Sequence, residues 1–403
     1  MIKVFGCAAF LLLLFCSCTP GKKTAVASKN GLPSPDTFRT AHLLFLPPEK
    51  QLLYYQNIDQ ILPTSKIEKG NIPYRLVEAP VNLSNFSFHY KDTLRTLNNF
   101  MRETNVVGLI VIRNDSILLE QYRGTTPSTK WINFSVAKSV TSLLYGAAIQ
   151  DGYIPTLEEK VSHYIPELKG SVYDSVSLRN LLQMSSGVAW NDDPRNRQSD
   201  LLKLAMIERE KGWNGIAAYL STLKRAAPPG EKFNYNTVET SLAGLILKRI
   251  IKKPLAEYLS EKIWKPFGMN EDANWVKSLS IETENGGCCI SATLRDYALL
   301  GMFAMNNGST REGKQVLPAN WMKEATTPAA SLNSYGYYWW LRKNGRFFAS
   351  GSFGQQIEVD LTQKLVIAVQ SHWPIAYNNY YVEYLDSMIE AMISSLKTQT
   401  ANR

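Results

Sequence analysis

Ser135 and Lys138 stand three residues apart at the start of a stretch with helical spacing. On a helix such residues share a face, so the amine can reach the hydroxyl and take its proton. The first turn also offers unpaired backbone N–H groups and the positive end of the helix dipole, which stabilise a developing alkoxide. The pair is a candidate nucleophile with its proton acceptor. Spacing alone is weak evidence. Ser221/Lys224 and Ser394/Lys397 repeat it, and about one or two such pairs arise by chance at ordinary Ser and Lys usage. Those two read as accidental surface pairs, and the sequence around Ser135 has to choose.

The elements that must position the pair are legible from periodicity. Val136, Val140, Leu143, Leu144 and Ala147 share one face of a helix over 135–150, which Asp151-Gly152 ends. His89 to Glu103 has helical spacing through Leu94, Leu97 and Phe100. Val106–Ile112 and Ile117–Tyr122 read as a β-hairpin about Asn114-Asp115. Residues from about 153 to 285 read mainly as helices and loops. Arg346–Ala349, Gln356–Asp360 and Leu365–Ser371 read as strands, and Tyr381–Leu396 as a closing helix. Strands at both ends and helices between them predict an α+β fold, with one antiparallel sheet shared by the terminal parts and a helical region inserted.

The 403 residues are 45% hydrophobic and 20% charged, a globular composition. The net charge of +9 is concentrated at the termini: residues 1–30 carry +4 and 391–403 carry +2, leaving +3 for the body. A body so near neutral lacks the charge excess of a nucleic-acid binder. Met1-Ile2-Lys3 and the apolar run to Cys16 read as an export signal, too short to span a membrane as an ordinary helix. Residues 1–18 resemble a bacterial lipoprotein signal with Cys18 as the lipidated residue, although Phe15 is bulkier than usual at its position. The expectation is a protein anchored to a bacterial membrane on the periplasmic or cell-surface side. The polar stretch from Thr19 to about Glu49 reads as a tether, residues 19–84 as tether and extension, and 85–403 as the domain. Adjacent Cys288 and Cys289 read as small buried side chains.

Asn133-Phe134-Ser135-Val136-Ala137-Lys138 is followed in order by Val176 to Gly187, Pro229 to Thr237, Gly286-Gly287, Thr293 to Ala298, Tyr335 to Trp340 and Ala349 to Gln355. Together these resemble the serine β-lactamase-related family, nearest the esterase and amidase branch that includes the 6-aminohexanoate-dimer hydrolases. The resemblance covers about 85–400. It implies a β-lactamase/transpeptidase-like fold with the site in the cleft between the sheet and the helical region. It makes Ser135 and Lys138 the first catalytic element. Tyr235, in Tyr235-Asn236-Thr237, becomes the second, with Thr237 where the family usually has an amide. Ala349-Ser350-Gly351 stands where better-known members carry a basic residue in Lys-Thr-Gly or His-x-Gly. Gly351 would admit close substrate approach, and the N–H groups of Ser352 and Ser135 would form the oxyanion hole. Without the basic residue, carboxylate recognition would fall to Arg346 or His372, which weighs against β-lactam and D-alanyl-D-alanine substrates.

The remaining candidates look structural. His42, His89, His163 and His372 form no metal-ligand spacing, and no Gly-x-Ser-x-Gly elbow or phosphate loop occurs. No cofactor or metal is expected. Asp192-Asp193 reads as a solvated loop. The run 335–340 reads as core, with one ring free to face substrate. The sequence thus predicts an exported serine hydrolase acting on a small ester, amide or peptide through a Ser135 acyl-enzyme. Two alternatives stand beside it: a cell-wall peptidase or β-lactamase of the same fold, and a catalytically silent binding or sensor protein.

Overall fold

The computed structural model describes residues 31–401 apart from 36–37, 84, 194 and 279–282. The signal segment and Cys18 lie outside the described residues. A seven-stranded sheet runs edge to edge as Trp340–Leu341, Arg346–Gly351, Gln355–Asp360, Leu365–Ser371, Val106–Arg113, Ser116–Tyr122 and Val77–Glu78. Leu365–Ser371 pairs antiparallel with Val106–Arg113, placing Ile367 opposite Val111. The last third of the chain is thereby laid against its early hairpin, as the strand-like runs at both ends require. Val106 to Ile112 are buried without a break, because helices cover this sheet on both faces.

Three expectations change. The helix read over 89–103 is confined to Leu97–Glu103, and Ser87–Tyr90 with Thr93–Thr96 form a hairpin ahead of it. Lys91, at φ 52°, makes the turn, and Thr96 caps the helix by accepting the Asn99 N–H. A second sheet was not read from the sequence. It comprises Thr64–Ile67, Ala273–Ser278, Ile290–Ala292 and Trp131–Ile132, with Thr283–Glu284 beside Ala273–Ser278. Some of its strands are only two or three residues long, below what periodicity can report. Finally, the stretch read as tether and extension is packed into the body from Leu32 onward. Leu32, Phe38, Leu43 and Tyr55 are all buried. Among the described residues, no helix is long and apolar enough to cross a membrane.

The helix Val136–Gln150 runs through the middle of the molecule. The sequence pattern suggested one apolar face, yet every residue from Val136 to Ala148 is buried. Its polar side chains are met from different elements. Ser139 Oγ donates to the Tyr338 carbonyl at 2.6 Å, Thr141 Oγ1 to the Gly286 carbonyl at 2.7 Å, and Tyr145 OH to the Ala243 carbonyl at 3.1 Å. These bonds satisfy groups that would otherwise be costly to bury, and they key the helix to both halves of the fold.

Candidate active site

Ser135 occupies the N-cap position of that central helix, and its side chain caps no backbone N–H. It is half-buried, whereas Lys138 is buried. The lysine Nζ donates to Ser135 Oγ at 3.0 Å and to the Gly287 carbonyl at 2.9 Å. The same ammonium lies 5.1 Å from the centroid of the Tyr235 ring, a cation–π distance. The structure thus brings together the three side chains read as catalytic. The two accidental Ser-x-x-Lys pairs do not share this setting; Ser221 Oγ bonds back to the Ala217 carbonyl.

Gly286-Gly287 is required by close approach. A Cβ on Gly287 would run into Thr240 Oγ1 of the helix Thr237–Ile251. Only a side-chain-free residue lets this loop slide between that helix and the lysine. The loop is held further by Asn133, whose Oδ1 accepts the Ile290 N–H at 2.8 Å and whose N–H donates to the Ile290 carbonyl at 2.8 Å. Next to Gly287, the sequence reading of Cys288 and Cys289 as separate small side chains is corrected. The structure joins them in a disulfide across a cis peptide, with Cys289 buried and Cys288 half-buried.

The turns that carry Ser135 and Ser352, read as the oxyanion donors, are joined by an aromatic contact the sequence reading missed. Phe134 precedes Ser135 and Phe353 follows Ser352. Both adopt left-handed backbone, at φ 47° and 63°, an uncommon conformation for bulky residues. Their rings pack 5.1 Å apart, and Tyr55 closes the group at 5.2 Å from Phe134 and 5.4 Å from Phe353. Packing of these buried rings offsets the backbone strain and fixes the two turns that carry Ser135 and Ser352. Gly351 also has a structural role. A Cβ there would collide with the Asn133 carbonyl oxygen, so this glycine lets the strand end meet the backbone two residues before Ser135. Gly351→Ala should therefore displace Ser352, and acylation should slow by about 10²–10³, the usual effect of losing one oxyanion donor. Acylation rates of the purified variant check this.

Tyr235 lies on a segment laced to its neighbours on both sides. Asn234 N–H donates to the Met184 carbonyl at 2.8 Å, and Asn234 Nδ2 to the Trp190 carbonyl at 3.1 Å. Asp192, read as a solvated loop residue, is half-buried and belongs to this arrangement. It accepts from Trp190 Nε1 at 2.7 Å, Thr237 N–H at 2.9 Å and Thr237 Oγ1 at 2.8 Å. Its charge also sits at the N-terminus of the helix Thr237–Ile251, where the dipole favours an anion. Thr237, which stands where the family usually has an amide and was read with Gly351 and Ser352 as substrate-binding, donates its hydroxyl to Asp192. Asp193 next door is the solvated member, paired with Arg195 at 2.9 Å. No local signal separates the two aspartates.

Of the aromatic run, Tyr335, Tyr337, Tyr338 and Trp339 are buried. Trp340 is the half-buried ring, nearly parallel to Tyr235 with centroids 6.5 Å apart. Neither cation offered as a substitute for the missing basic residue is available. Arg346 pairs with Glu390 and lines a separate depression with Arg342 and Lys343. Burial, with Arg123 adding to it, pushes His372 down to about 4, so it is neutral at pH 7. Thr293 to Ala298 is a scaffold. Thr293 caps its helix, Asp296 accepts backbone N–H groups from Asn270 and Glu271, and Arg295 grips Glu120 at 2.8 and 2.6 Å. Among the described residues no group of His, Cys, Asp and Glu could hold a metal.

The chain is 29% identical over 345 residues to the 6-aminohexanoate-dimer hydrolase of Paenarthrobacter ureafaciens, covering 79% of this chain and 85% of the relative. A solved structure from Bacillus anthracis, assigned as a 6-aminohexanoate-dimer hydrolase, superposes with a TM-score of 0.75 at 25% identity, covering 86% of this chain and 94% of that one. A family VIII carboxylesterase shares the fold, with a TM-score of 0.55 at 18% identity over 73% of this chain and 95% of its own. The Beta-lactamase family profile matches residues 95–377. With its α+β, β-lactamase/transpeptidase-like fold, the chain belongs to the β-lactamase family of serine hydrolases.

Proposed function

We propose that this protein cleaves a small ester or amide through an acyl-enzyme on Ser135. The observation that carries the reading is the 3.0 Å contact between Lys138 Nζ and Ser135 Oγ at the start of a buried helix. Ser135 Oγ attacks the substrate carbonyl carbon as its proton passes to the Lys138–Tyr235 pair. The tetrahedral oxyanion takes the N–H groups of Ser135 and Ser352. The pair returns the proton to the departing alcohol or amine, the C–O or C–N bond breaks, and the acyl group remains on Ser135. Water, deprotonated by the same pair, attacks the acyl-ester; the acid leaves and Ser135 regains its proton. No step needs a cofactor.

The substrate reading follows from the rings beside the Ser135–Lys138 pair and from the missing cation. Trp340 lies nearly parallel to Tyr235, and the position before Ser350 carries the buried Ala349 rather than a basic residue. Linear amides and esters fit this surface better than the carboxylates of penicillins or of peptides ending in D-alanine. The name of the Paenarthrobacter relative makes a 6-aminohexanoate dimer the first amide to try. A silent binding protein has no use for a buried amine held on a serine hydroxyl. The test is turnover of short p-nitrophenyl esters, the 6-aminohexanoate dimer and nitrocefin. Hydrolysis of an ester or the amide, with nitrocefin at least about a hundredfold slower, is expected. Nitrocefin as the best substrate would favour the β-lactamase alternative.

The proposal extends to location: export, with the chain held at a bacterial membrane by lipid on Cys18. It rests on the sequence of residues 1–23. Replacing Cys18 with Ala should release the protein from the membrane fraction, and an unlipidated native N-terminus would refute the anchor.

A further inference from the structure

Glu239 lies one turn into the helix behind Tyr235 and is completely buried. The titratable or charged groups that act on it are Tyr173, Asp192 and Tyr338, with no cation among them. The hydroxyls of Ser186 and Tyr173 face its carboxyl, but neither closes a well-directed bond: both carboxyl oxygens and Tyr173 OH are without a geometric partner among the described residues. Ser186 is the midpoint of the loop on which the tyrosine segment hangs. Met184 O accepts from Asn234 at 2.8 Å, Ser185 O from Gly230 at 2.7 Å, and Gly187 O from Ala226 at 2.8 Å. On the other side, the Glu239 N–H donates to Oδ1 of Asn236, the residue after Tyr235.

We propose that Glu239 is a positioning residue for Tyr235: a neutral carboxylic acid that fills the space behind the tyrosine loop and displaces that loop when it ionises. An anion there would be repelled by Asp192 with no compensating cation, and the loop beside it, whose Met184, Ser185 and Gly187 carbonyls hold the segment that carries Tyr235, would be displaced to relieve it. Burial dominates the acid's behaviour; the Ser186 and Tyr173 hydroxyls oppose it, Asp192 adds to it, and the result pushes Glu239 up to about 8. The inference rests on the reading of Tyr235 as a proton-transfer group.

The test uses Glu239→Gln, an isostere of the neutral acid, and Glu239→Ala. The rate of Ser135 labelling by a fluorophosphonate is followed from pH 5 to pH 10. Wild type should lose rate through about pH 8. Glu239→Gln should match wild type below that and keep its rate at least one unit further, whereas Glu239→Ala should be slow throughout. A parallel melting series reads the proton itself. As pH rises from 4.5 to about 8, the unfolded chain loses the proton before the folded one does. Wild type should therefore lose Tm relative to Glu239→Gln across that window and hold a constant difference above it. Superposable alkaline limbs for wild type and Glu239→Gln would overturn the proposal, as would a Tm difference that does not change with pH. Absence of labelling in every variant, with the Tm difference as expected, would refute the Tyr235 reading and the positioning role with it, leaving only a buried acid.

Discussion

Ser135→Ala should abolish turnover of every ester and amide the protein accepts, a loss of at least about 10⁴-fold, while the fold survives. The serine side chain makes one hydrogen bond, from Lys138, and caps nothing on its own helix. Removing it costs the net worth of one bond, about 1 kcal/mol. The helix itself is held by Ser139, Thr141, Tyr145 and a face of buried apolar residues that the substitution leaves alone. Activity and stability should therefore separate completely. Steady-state rates and melting curves on the same preparation check this. A variant that keeps wild-type hydrolysis would remove Ser135 from the mechanism.

Lys138→Ala is the second large effect and has a different signature. Loss of the amine removes the group proposed to take the serine proton, and general acid–base groups of this kind contribute about 10²–10⁴ in rate. Its stability consequence combines opposing contributions. The Gly287 carbonyl loses its donor, which costs about 1–3 kcal/mol for a buried group. Against this, a long amine no longer has to be buried among apolar neighbours, which offsets part of that cost. The expected result is a small change in Tm with a severe loss of acylation. Lys138→Arg should not rescue activity, because a guanidinium stays protonated and its planar fork cannot replace one amine between Ser135, Gly287 and the Tyr235 ring.

The sequence made the candidate residues more legible than the contacts that support them. Ser135 and Lys138 were picked out by their spacing and Tyr235 by the family resemblance, and the structure places the three together; the strand pairs could be read because alternation is local. For the run 335–340 the sequence indicated one ring free to face substrate without naming it; the structure leaves Trp340 as the half-buried one. Contacts that set geometry between distant segments left no such trace. Tyr55, Phe134 and Phe353 are separated by about 80 to 300 positions in sequence, and nothing in any of the three stretches announces that the rings meet. Asp192 looked like its neighbour Asp193 until the fold placed Thr237 against it. The reading of 89–103 as one helix failed because Leu94 and Leu97 have helical spacing, although the Lys91-Asp92 turn had already committed the chain to a hairpin. Leu94 is exposed as a result. Gly351 was read as admitting close substrate approach, whereas the need to clear the Asn133 carbonyl was not legible, because a sequence reports that space is needed without saying what fills it.

The most direct test is to treat soluble protein beginning after Cys18 with a fluorophosphonate probe and map the adduct by mass spectrometry. The account predicts one adduct, on the peptide containing Ser135, absent from Ser135→Ala and strongly reduced in Lys138→Ala. A folded protein that takes no adduct, or takes it on another serine, would contradict it.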